Sequence, residues 1–322
     1  MRAIQISQVG GPEVLALAEV EPRQPGPGEI LIRHEAIGLN FIDVYRRTGL
    51  YPMPLHFIDG QEAAGVVEAV GEGVTRFAKG DRAGYCTEAG AYAEMNTVRE
   101  GRAVKLPDAI SSRTAAAILL KGMTAEFLAQ RIWPLQKGDT VLVHAAAGGV
   151  GTLLCQWLAH MGVRVIGTAG TPDKAALAKS RGCAEVIEYR HEDIVERMKT
   201  LTDGKGARAV FDSVGKDTLD ASLAILGRRG ILVSFGNASG PAAPVDPLRL
   251  SRGGSLYLTR PTMFDYVAST EELDASAKAL FDLVASGVIE VEIGQEFRLE
   301  QAADAHRALE GRATTGATLL IP

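Results

Sequence analysis

Hydrophobic and polar residues follow two different patterns along this chain. Up to about residue 105, apolar and polar residues alternate in short stretches that are separated by glycine and proline. Such a pattern is typical of β-strands joined by tight turns. It predicts an irregular β domain with strands at 1–6, 29–35, 62–70 and 102–105, and with turns at 26–28 and 71–73.

From about residue 138, apolar runs rich in β-branched residues alternate with amphipathic stretches of helical period. This alternation indicates parallel strands connected by helical crossovers. It predicts an α/β fold with a doubly wound, six-stranded parallel sheet of the Rossmann type. The predicted strands are 140–145, 163–168, 185–188, 209–213, 230–235 and 255–259, and the predicted helices are 149–161, 172–181, 193–201 and 216–226.

The segment after residue 261 returns to short, mixed elements. Its pattern predicts a helix at 270–286, a strand near Val291, a short helix at 301–310 and a strand at 317–321. Because so short a segment cannot bury a core of its own, we expect it to pack on the first domain. The predicted domains are therefore 1–122 together with 262–322, and 123–261.

Composition and charge exclude several classes of protein. The 322 residues are 46% hydrophobic and 23% charged, which is ordinary for a globular protein of about two domains. The net charge is −5 and no basic run is present, so we expect no nucleic-acid partner. No stretch of about 18 apolar residues occurs, so we expect no membrane span. Residues 2–6 alternate between polar and apolar and do not form the apolar h-region of a signal peptide, so we expect no export and a cytoplasmic location.

Cysteine and glycine depart from the average in opposite directions. The three cysteines, Cys86, Cys155 and Cys183, are too widely spaced for a CxxC pair, which argues against a disulfide framework or a structural zinc lobe. The 36 glycines make up about 11% of the chain, against about 7% in an average protein. The places where these glycines cluster can therefore indicate what the protein binds.

The most informative glycines lie in the stretch VLVHAAAGGVGTLLCQ at 141–156. Gly149 and Gly151 follow a predicted strand and open a predicted helix, and Ala145, Gly148 and Gly151 give the spacing AxxGxxG. Glycine lets the backbone turn tightly and approach a pyrophosphate at the positive end of a helix. The alternative is a tight strand-to-helix connection without a ligand, but the strand and helix context favours dinucleotide binding.

The end of the second parallel strand indicates which dinucleotide is bound. A carboxylate there would hold the ribose of NAD and repel the 2′-phosphate of NADP, whereas residues 167–171 read GTAGT. Lys174 could contact a 2′-phosphate, and Tyr189 could add a hydroxyl or stack near the adenosine. The alternatives are a solvated lysine and a packed tyrosine, and Asp173 is explained by its place at a helix start. The sequence therefore favours NADPH.

Motifs along nearly the whole chain carry a family resemblance. They include GGPEVL (10–15), IGLNFIDVYRRTGLYP (37–52), GQEAAGVVEAVGEGV (60–74), LKGMTA (120–125), HAAAGGVG (144–151), VFDSVG (210–215), VSFGNASG (233–240) and SLYLTRP (255–261). With these motifs the chain resembles the medium-chain dehydrogenase/reductase superfamily, and within it the zinc-free, zeta-crystallin-like quinone oxidoreductases. The resemblance implies a β-rich GroES-like catalytic domain beside the Rossmann domain.

The zinc-dependent members of that superfamily need a Cys and the His of a GHE stretch as catalytic ligands. Asn40 stands where the Cys would be, and Gln61 replaces the His. Because Asn and Gln are poor zinc ligands, we expect no bound metal. Without a zinc ion to stabilise an alkoxide, alcohol oxidation is disfavoured, whereas a quinone or a conjugated enone accepts a hydride with less assistance.

The resemblance implies roles for the residues around position 40. It places Asn40, Phe41, Ile42, Asp43 and Tyr45 along the nicotinamide, and Tyr51 near the acceptor. Such a site works mainly by orientation, because hydride transfer needs nicotinamide and acceptor face to face. A tyrosine could hydrogen-bond the reduced quinone oxygen, or water could protonate it, and the alternative role of both rings is packing. The catalytic candidates are Asn40, Asp43, Tyr45 and Tyr51.

The same resemblance implies a cofactor-binding set drawn from several parts of the chain. It consists of Phe41, Ile42, Asp43, Val44, Tyr45, Phe127, Gly149, Val150, Gly170, Thr171, Pro172, Asp173, Lys174, Tyr189, Ser213, Gly236, Asn237, Ala238, Ser239, Pro261, Thr262, Met263 and Arg312. Arg312 lies far along the chain from the glycine turn and could reach the 2′-phosphate. Its alternative role is that of a surface arginine.

The favoured function is reduction of a small quinone by hydride transfer from NADPH. Reduction of α,β-unsaturated carbonyls uses the same cofactor geometry and remains open, as does a low-turnover NADPH-binding protein. The sixth strand, 255–259, is an apolar edge strand, and an exposed edge invites pairing with a second copy of the chain. We therefore expect a homodimer.

Overall fold

The chain folds into two compact units. The computed structural model describes all residues from 1 to 322. The first unit contains Met1–Met123, Val267–Ser286 and Val291–Pro322, and the second contains Thr124–Tyr266 and Gly287–Glu290. The unit boundaries at Met123 and Tyr266 differ slightly from the sequence-based ones at 122 and 261. The assignment of a catalytic and a cofactor-binding role to separate domains stays a prediction.

The strands and helices are numbered here in chain order. The strands are β1 (Arg2–Ile6), β2 (Ala16–Glu19), β3 (Glu29–Leu39), β4 (Phe57–Ile58), β5 (Glu62–Val70), β6 (Arg82–Tyr85), β7 (Met95–Arg99), β8 (Ala103–Lys105), β9 (Thr140–Val143), β10 (Arg164–Ala169), β11 (Glu185–Glu188), β12 (Ala207–Asp212), β13 (Leu226–Ser234), β14 (Tyr257–Thr259), β15 (Ile293–Arg298) and β16 (Ala317–Ile321). The helices are α1 (Phe41–Arg47), α2 (Ser112–Gln130), α3 (Gly149–His160), α4 (Pro172–Ser180), α5 (Ile194–Leu201), α6 (Leu219–Ala224), α7 (Pro247–Arg252), α8 (Met263–Tyr266), α9 (Thr270–Ala285) and α10 (Ala302–Glu310).

The first unit is built on a seven-stranded sheet. Its strand order is β15-β16-β3-β5-β6-β8, with β7 also paired to β3, and a smaller sheet has the order β2-β1-β4. Ile30 and Ile32 of β3 are two residues apart, so they share one face of the sheet, where they are fully buried with Ile4 and Ile6. Strand β16 pairs antiparallel with β3, so the last strand of the chain completes a sheet begun in its first third.

The second unit contains a six-stranded sheet in the order β11-β10-β9-β12-β13-β14. All five strand pairings are parallel, which confirms the predicted α/β fold with a doubly wound sheet. Val141, Leu142 and Val143 of the central strand β9 are completely buried, as expected for a strand covered by helices on both faces. Strands β10 and β11 lie on one side of β9, and β12, β13 and β14 lie on its other side, so the strand order reverses at β9. The carboxyl end of β9 is therefore the switch point at which such sheets bind ligands.

One predicted helix is shorter in the structure because a carboxylate organises the turn before it. The sequence predicts a helix at 216–226, but α6 covers only Leu219–Ala224. Asp212 accepts hydrogen bonds from the backbone N–H groups of Val214 and Gly215 and from the hydroxyl of Thr218. These bonds hold residues 213–218 in a turn. Strand β13 then begins at Leu226, four residues before the predicted start at 230.

Helix α2, the longest in the chain, was not predicted. It covers Ser112–Gln130, and from Ala115 to Ala129 every residue except Leu120 is buried. A helix that is buried on all sides lacks the polar face on which periodicity-based prediction relies. No helix of the structure, α2 included, combines the length and the apolar character needed to cross a membrane.

Candidate functional site

The glycine turn of the second unit leads from β9 into α3. Ala145 has a left-handed backbone with φ of 51°, and the backbone N–H of Gly148 donates to Ala145 O over 2.9 Å. Gly148 is the N-cap of α3, and no side chain caps this helix start. The first N–H groups of a helix have no partner within the helix, so those of α3 are available to an anion at the carboxyl end of β9.

Gly151 allows α3 to lie close to the turn. A Cβ at this position would lie 2.3 Å from Ala145 O and 2.9 Å from Ala146 Cα. Both are backbone atoms that cannot move aside cheaply, so any side chain here would push the helix away from the strand. Gly151 therefore lets the helix pack closely on the turn.

The ends of β10 and β11 bring together several of the predicted cofactor residues. A Cβ on Gly170 would lie 2.5 Å from the Tyr189 hydroxyl, so this tyrosine lies directly over the glycine. Thr171 caps α4 by accepting a hydrogen bond from Lys174 N at 3.4 Å. Pro172 and the exposed Asp173 form the first turn of that helix, while Lys174 is half-buried. No carboxylate occupies the end of β10.

The loops after β12 and β13 lie against each other at the same edge of the sheet. A Cβ on Gly236 would lie 2.4 Å from Ser213 O, and Ala238 N donates to that same oxygen over 3.2 Å. Ser239 donates from both its N–H and its hydroxyl to Val214 O. Asn237 neighbours these contacts. The predicted residues of this region are thus close together.

The remaining predicted residues of the second unit lie on other elements. The ring of Phe127 is buried and stacks on Tyr266 at a centroid distance of 4.3 Å. Pro261 and Thr262 follow β14, and Met263 begins α8. Gly149 and Val150 open α3.

In the first unit, three aromatic rings follow one another at the start of α1 and in the loop after it. The ring centroids of Phe41 and Tyr45 are 6.0 Å apart, and those of Tyr45 and Tyr51 are 5.2 Å apart in an edge-on arrangement. Tyr45 is buried, whereas Tyr51 is 37% exposed. Ile42 and Val44 belong to the same helix. The structure therefore joins the three rings in a row that ends at the surface.

Asn40 caps α1 and is held by a buried ion pair. Its side-chain Nδ2 donates to Glu62 Oε2 over 2.9 Å and to Gly38 O over 3.2 Å. The same Glu62 oxygen accepts from Lys121 Nζ over 3.0 Å, and Oε1 accepts from Leu120 N over 2.7 Å. Both charged side chains are buried. An ammonium group therefore balances the carboxylate next to Asn40.

Gln61, which stands at the position of the zinc-binding histidine, forms a hydrogen bond to a backbone carbonyl. Its Nε2 donates to Cys86 O over 3.1 Å. The structure contains no group of three or more His, Cys, Asp or Glu side chains that could hold a metal ion.

A second buried cluster lies behind α1. Asp43 Oδ2 accepts from Asn40 N over 2.8 Å and from the Tyr92 hydroxyl over 3.0 Å. Tyr92 also contacts His306 Nε2 at 3.0 Å, and His306 Nδ1 contacts the guanidinium of Arg47 at 3.2 Å. Because arginine only donates, Nδ1 is the acceptor and Nε2 carries the proton. Asp43 thus faces the interior, which favours a positioning role over contact with a substrate.

Burial shifts the ionisation of this cluster. It raises the pKa of Asp43 to about 6, and burial together with the charge of Asp43 raises the pKa of Asp59 well above its usual range. Burial also lowers the pKa of His306 to about 3. His306 is consequently neutral near pH 7, in agreement with the single ring proton that its contacts require.

No pattern in the sequence indicates a role for Glu62, Lys121, Tyr92 or His306. Glu62 and Lys121 lie in quoted stretches, GQEAAG and LKGMTA, but they are 59 positions apart and no local pattern links them. Arg312 was singled out, and it lies exposed in the turn after α10 with a left-handed φ of 57°. It belongs to the first unit, and Lys174 belongs to the second.

Comparison with known proteins matches both parts of the chain. Residues 26–108 match the family "Alcohol dehydrogenase GroES-like domain", and residues 149–286 match "Zinc-binding dehydrogenase". The chain is 50% identical to a quinone oxidoreductase of Pseudomonas aeruginosa, over 100% of this chain and 99% of that protein. It is 40% identical to a 2-haloacrylate reductase of a Burkholderia species, over 99% and 98% of the two chains.

A solved structure of a quinone oxidoreductase is also similar to this chain over its full length. The crystal structure of Escherichia coli quinone oxidoreductase complexed with NADPH superposes with a TM-score of 0.98 at 46% sequence identity, covering 100% of both chains.

Replacing Gly151 with alanine is expected to lower the free energy of unfolding by about 1–3 kcal/mol, because the added Cβ would overlap backbone atoms. Urea denaturation measures this change. Gly148→Ala is the matched control, since a Cβ there would meet only Ala145 O at 3.1 Å and the φ of −83° suits alanine. Equal losses in the two variants would contradict the close-packing argument.

Proposed function

Because the chain belongs to the quinone oxidoreductase family of the medium-chain dehydrogenase/reductase superfamily, we propose that it reduces quinones by hydride transfer from NADPH without zinc. It is an oxidoreductase by this membership. The glycine turn at the start of α3 is the observation that carries the proposal, since it combines an uncapped helix start with close backbone packing at Gly151.

The residues of the second unit fit a dinucleotide. The uncapped first turn of α3, with Gly149 and Val150, suits the negative charge of a pyrophosphate. Gly170 and Gly236 leave room for Tyr189 and for the Ser213 backbone, which lets the loops at the strand ends pack closely beside the glycine turn. We assign the nicotinamide and ribose surroundings to Phe127, Ser213, Asn237, Ala238, Ser239, Pro261, Thr262 and Met263.

A preference for NADPH over NADH rests on the end of β10. A carboxylate at this position would repel a 2′-phosphate, and residues 167–171 supply none. Lys174 is in the first turn of α4, which begins directly after Gly170 and Thr171, and the Tyr189 hydroxyl lies over Gly170. We propose that Lys174 binds the 2′-phosphate and that Thr171, Pro172 and Asp173 shape the helix start that presents Lys174.

The first unit supplies the proposed acceptor surroundings. When bound, NADPH provides the hydride. Phe41, Tyr45 and Tyr51 form a row of rings whose faces and edges suit a flat aromatic acceptor. Tyr51, the exposed end of the row, could hydrogen-bond the reduced oxygen, and water could supply its proton. Asn40 and Asp43 fix the start of α1, the helix that carries Phe41 and Tyr45.

One comparison favours a second candidate function. The Burkholderia relative is named for reduction of 2-haloacrylate, an α,β-unsaturated acid, and it matches nearly the whole chain. The alternative proposal is therefore reduction of conjugated carbonyl compounds by the same cofactor. The two functions share all the cofactor contacts and differ only in the acceptor.

The decisive assay mixes the purified protein with NADPH and either a quinone, an enal, 2-haloacrylate or no acceptor, and follows the loss of NADPH absorbance. We expect the fastest loss with the quinone, because it accepts a hydride with the least assistance. A faster rate with the enal or 2-haloacrylate would replace the quinone by the alternative substrate class. Tight NADPH binding with no turnover for any acceptor would contradict an enzymatic role for these acceptors and favour a binding protein.

Lys174→Ala should raise the Kd for NADPH by about 10- to 100-fold, which is the range expected for losing a charge-assisted hydrogen bond. The Kd for NADH should change little, because NADH lacks the 2′-phosphate. Fluorescence titration measures both constants. Lys179→Ala, an exposed lysine of the same helix, is the matched control. Equal losses for the two cofactors would refute the assignment of the 2′-phosphate site.

We also propose a homodimer formed through β14. This strand lies at the edge of the six-stranded sheet, and Tyr257 and Leu258 on it are 47% and 38% exposed. An unpaired strand edge with apolar side chains is suited to pairing with a second copy. Light scattering should give twice the mass of one chain for the wild type and for Leu248→Lys, an exposed site on α7, but a lower mass for Leu258→Lys. A wild-type monomer at all concentrations would exclude this dimer.

A further inference from the structure

A buried histidine connects the glycine turn to the loop after β12. His144 follows β9 directly and is almost completely buried. Its Nδ1 lies 3.2 Å from the Thr168 hydroxyl on β10, and its Nε2 lies 3.0 Å from the Ser222 hydroxyl on α6. Ser222 donates to Asp212 Oδ2 over 2.8 Å. Thr168 Oγ1 accepts from Ala145 N over 3.2 Å. These five residues form the His144 network, which lies entirely in the second unit.

The partners in the His144 network fix the position of each proton. A carboxylate only accepts hydrogen bonds, so the Ser222 hydroxyl donates to Asp212 and must accept from His144 Nε2. A neutral imidazole carries one proton, so Nδ1 is an acceptor and the Thr168 hydroxyl donates to it. Thr168 Oγ1 is then the acceptor for Ala145 N. Burial lowers the pKa of His144 although the charge of Asp212 raises it, so the ring is neutral near pH 7.

Ala145 lies at the centre of the glycine turn. Its left-handed φ of 51° is unfavourable for alanine, and such a backbone persists only where its surroundings hold it. Thr168 holds the N–H of Ala145, while the Ala145 carbonyl accepts from Gly148 N, the N-cap of α3, over 2.9 Å. A shift of Ala145 would therefore move the start of α3.

The other end of the His144 network holds a second loop. Asp212 Oδ1 accepts from the N–H groups of Val214 and Gly215 over 2.8 and 3.0 Å. Strands β10, β9 and β12 are neighbours at the centre of the parallel sheet. The network therefore joins the carboxyl ends of three adjacent strands at the switch point.

We propose that His144 is a positioning residue, which holds Ala145 through Thr168 and thereby presents the first N–H groups of α3 to the pyrophosphate of a dinucleotide. The identity of that ligand rests on the proposed function. The direction of the hydrogen bonds rests only on contacts within the second unit. A neutral imidazole offers an acceptor to Thr168 and a donor to Ser222 at the same time, which an aliphatic side chain cannot do.

The first test compares His144→Leu with His144→Gln. Leucine removes both ring contacts, whereas glutamine retains one acceptor and an N–H donor. We expect His144→Leu to raise the Kd for NADPH by about 3- to 10-fold, the range for losing one hydrogen bond between neutral groups, and His144→Gln to stay within about twofold of the wild type. Fluorescence titration measures both constants. An unchanged Kd in His144→Leu, or equal losses in the two variants, would overturn the proposal.

Adenosine 2′-monophosphate separates positioning from a general loss of structure. This ligand contains an adenosine with a 2′-phosphate but no pyrophosphate. Its Kd, measured by calorimetry, should be the same in the wild type and in both His144 variants, which also shows that each variant is folded. Equal weakening of NADPH and of adenosine 2′-monophosphate would overturn the proposal, because the loss would then not be specific to the glycine turn.

Thr168→Val tests the same contacts without changing the ring. Valine has nearly the shape of threonine but can neither accept from Ala145 N nor donate to His144. We expect the Kd for NADPH to rise by about 3- to 10-fold here as well. Thr202→Val is the matched control, because Thr202 is also a buried threonine that accepts a backbone N–H, from Gly206, but it precedes β12 at the opposite edge of the sheet. Equal losses in these two variants would overturn the positioning role.

Two signals in ¹⁵N NMR need no ligand. We expect the ring nitrogens of His144 to show a single proton on Nε2. The backbone amide signal of Gly148 should move in Thr168→Val and stay in place in Thr202→Val. A ring proton on Nδ1, or an unmoved Gly148 signal in Thr168→Val, would overturn the proposal. A wild type that binds no NADPH would contradict the proposed function, whereas these signals test the His144 network separately.

Discussion

Close backbone approach at glycine is the constraint on which both parts of this molecule depend. At Gly151 it brings α3 against the turn after β9, so that an uncapped helix start lies at the switch point of the parallel sheet. At Gly38 it lets a carboxylate lie over a strand of the other unit. A methyl group would meet a backbone oxygen at 2.3 Å in the first case and at 2.2 Å in the second, so neither arrangement tolerates a side chain.

Buried carboxylates then convert these strand ends into fixed loops. Asp212 holds the turn after β12, and it is connected through Ser222 to the buried His144 at the end of β9. Asp43 ties the start of α1 to Tyr92 in the same way. Each carboxylate accepts several hydrogen bonds, which offsets much of the cost of its burial. Loops that are held by buried carboxylates can present backbone groups to a ligand without moving when the ligand binds.

The sequence was sufficient for features that depend on neighbouring residues. The six parallel strands were predicted because their apolar runs are short and separated by amphipathic helices, and the glycine turn was predicted because Gly149 and Gly151 follow a strand directly. Helix α2 was missed because burial on all sides removes its polar face. The Glu62 and Lys121 pair was missed because its partners are 59 positions apart, and the Tyr92 and His306 contact joins residues 214 positions apart. Only the fold creates such pairs.

Relatives of this fold are named as reductases of different acceptors. A backbone-built glycine turn combined with exchangeable aromatic side chains accounts for this variety. In the proposed function, backbone groups at glycines and helix starts hold the pyrophosphate, and their positions depend on close packing that leaves little choice of residue. The rings of Phe41, Tyr45 and Tyr51 are side chains on α1 and the loop after it, and the last of them is exposed. Exchanging a side chain at such a position costs little stability. If the proposed role of Tyr51 is right, acceptor choice can therefore change at this residue while the glycine turn and the ion pair behind Asn40 remain as they are.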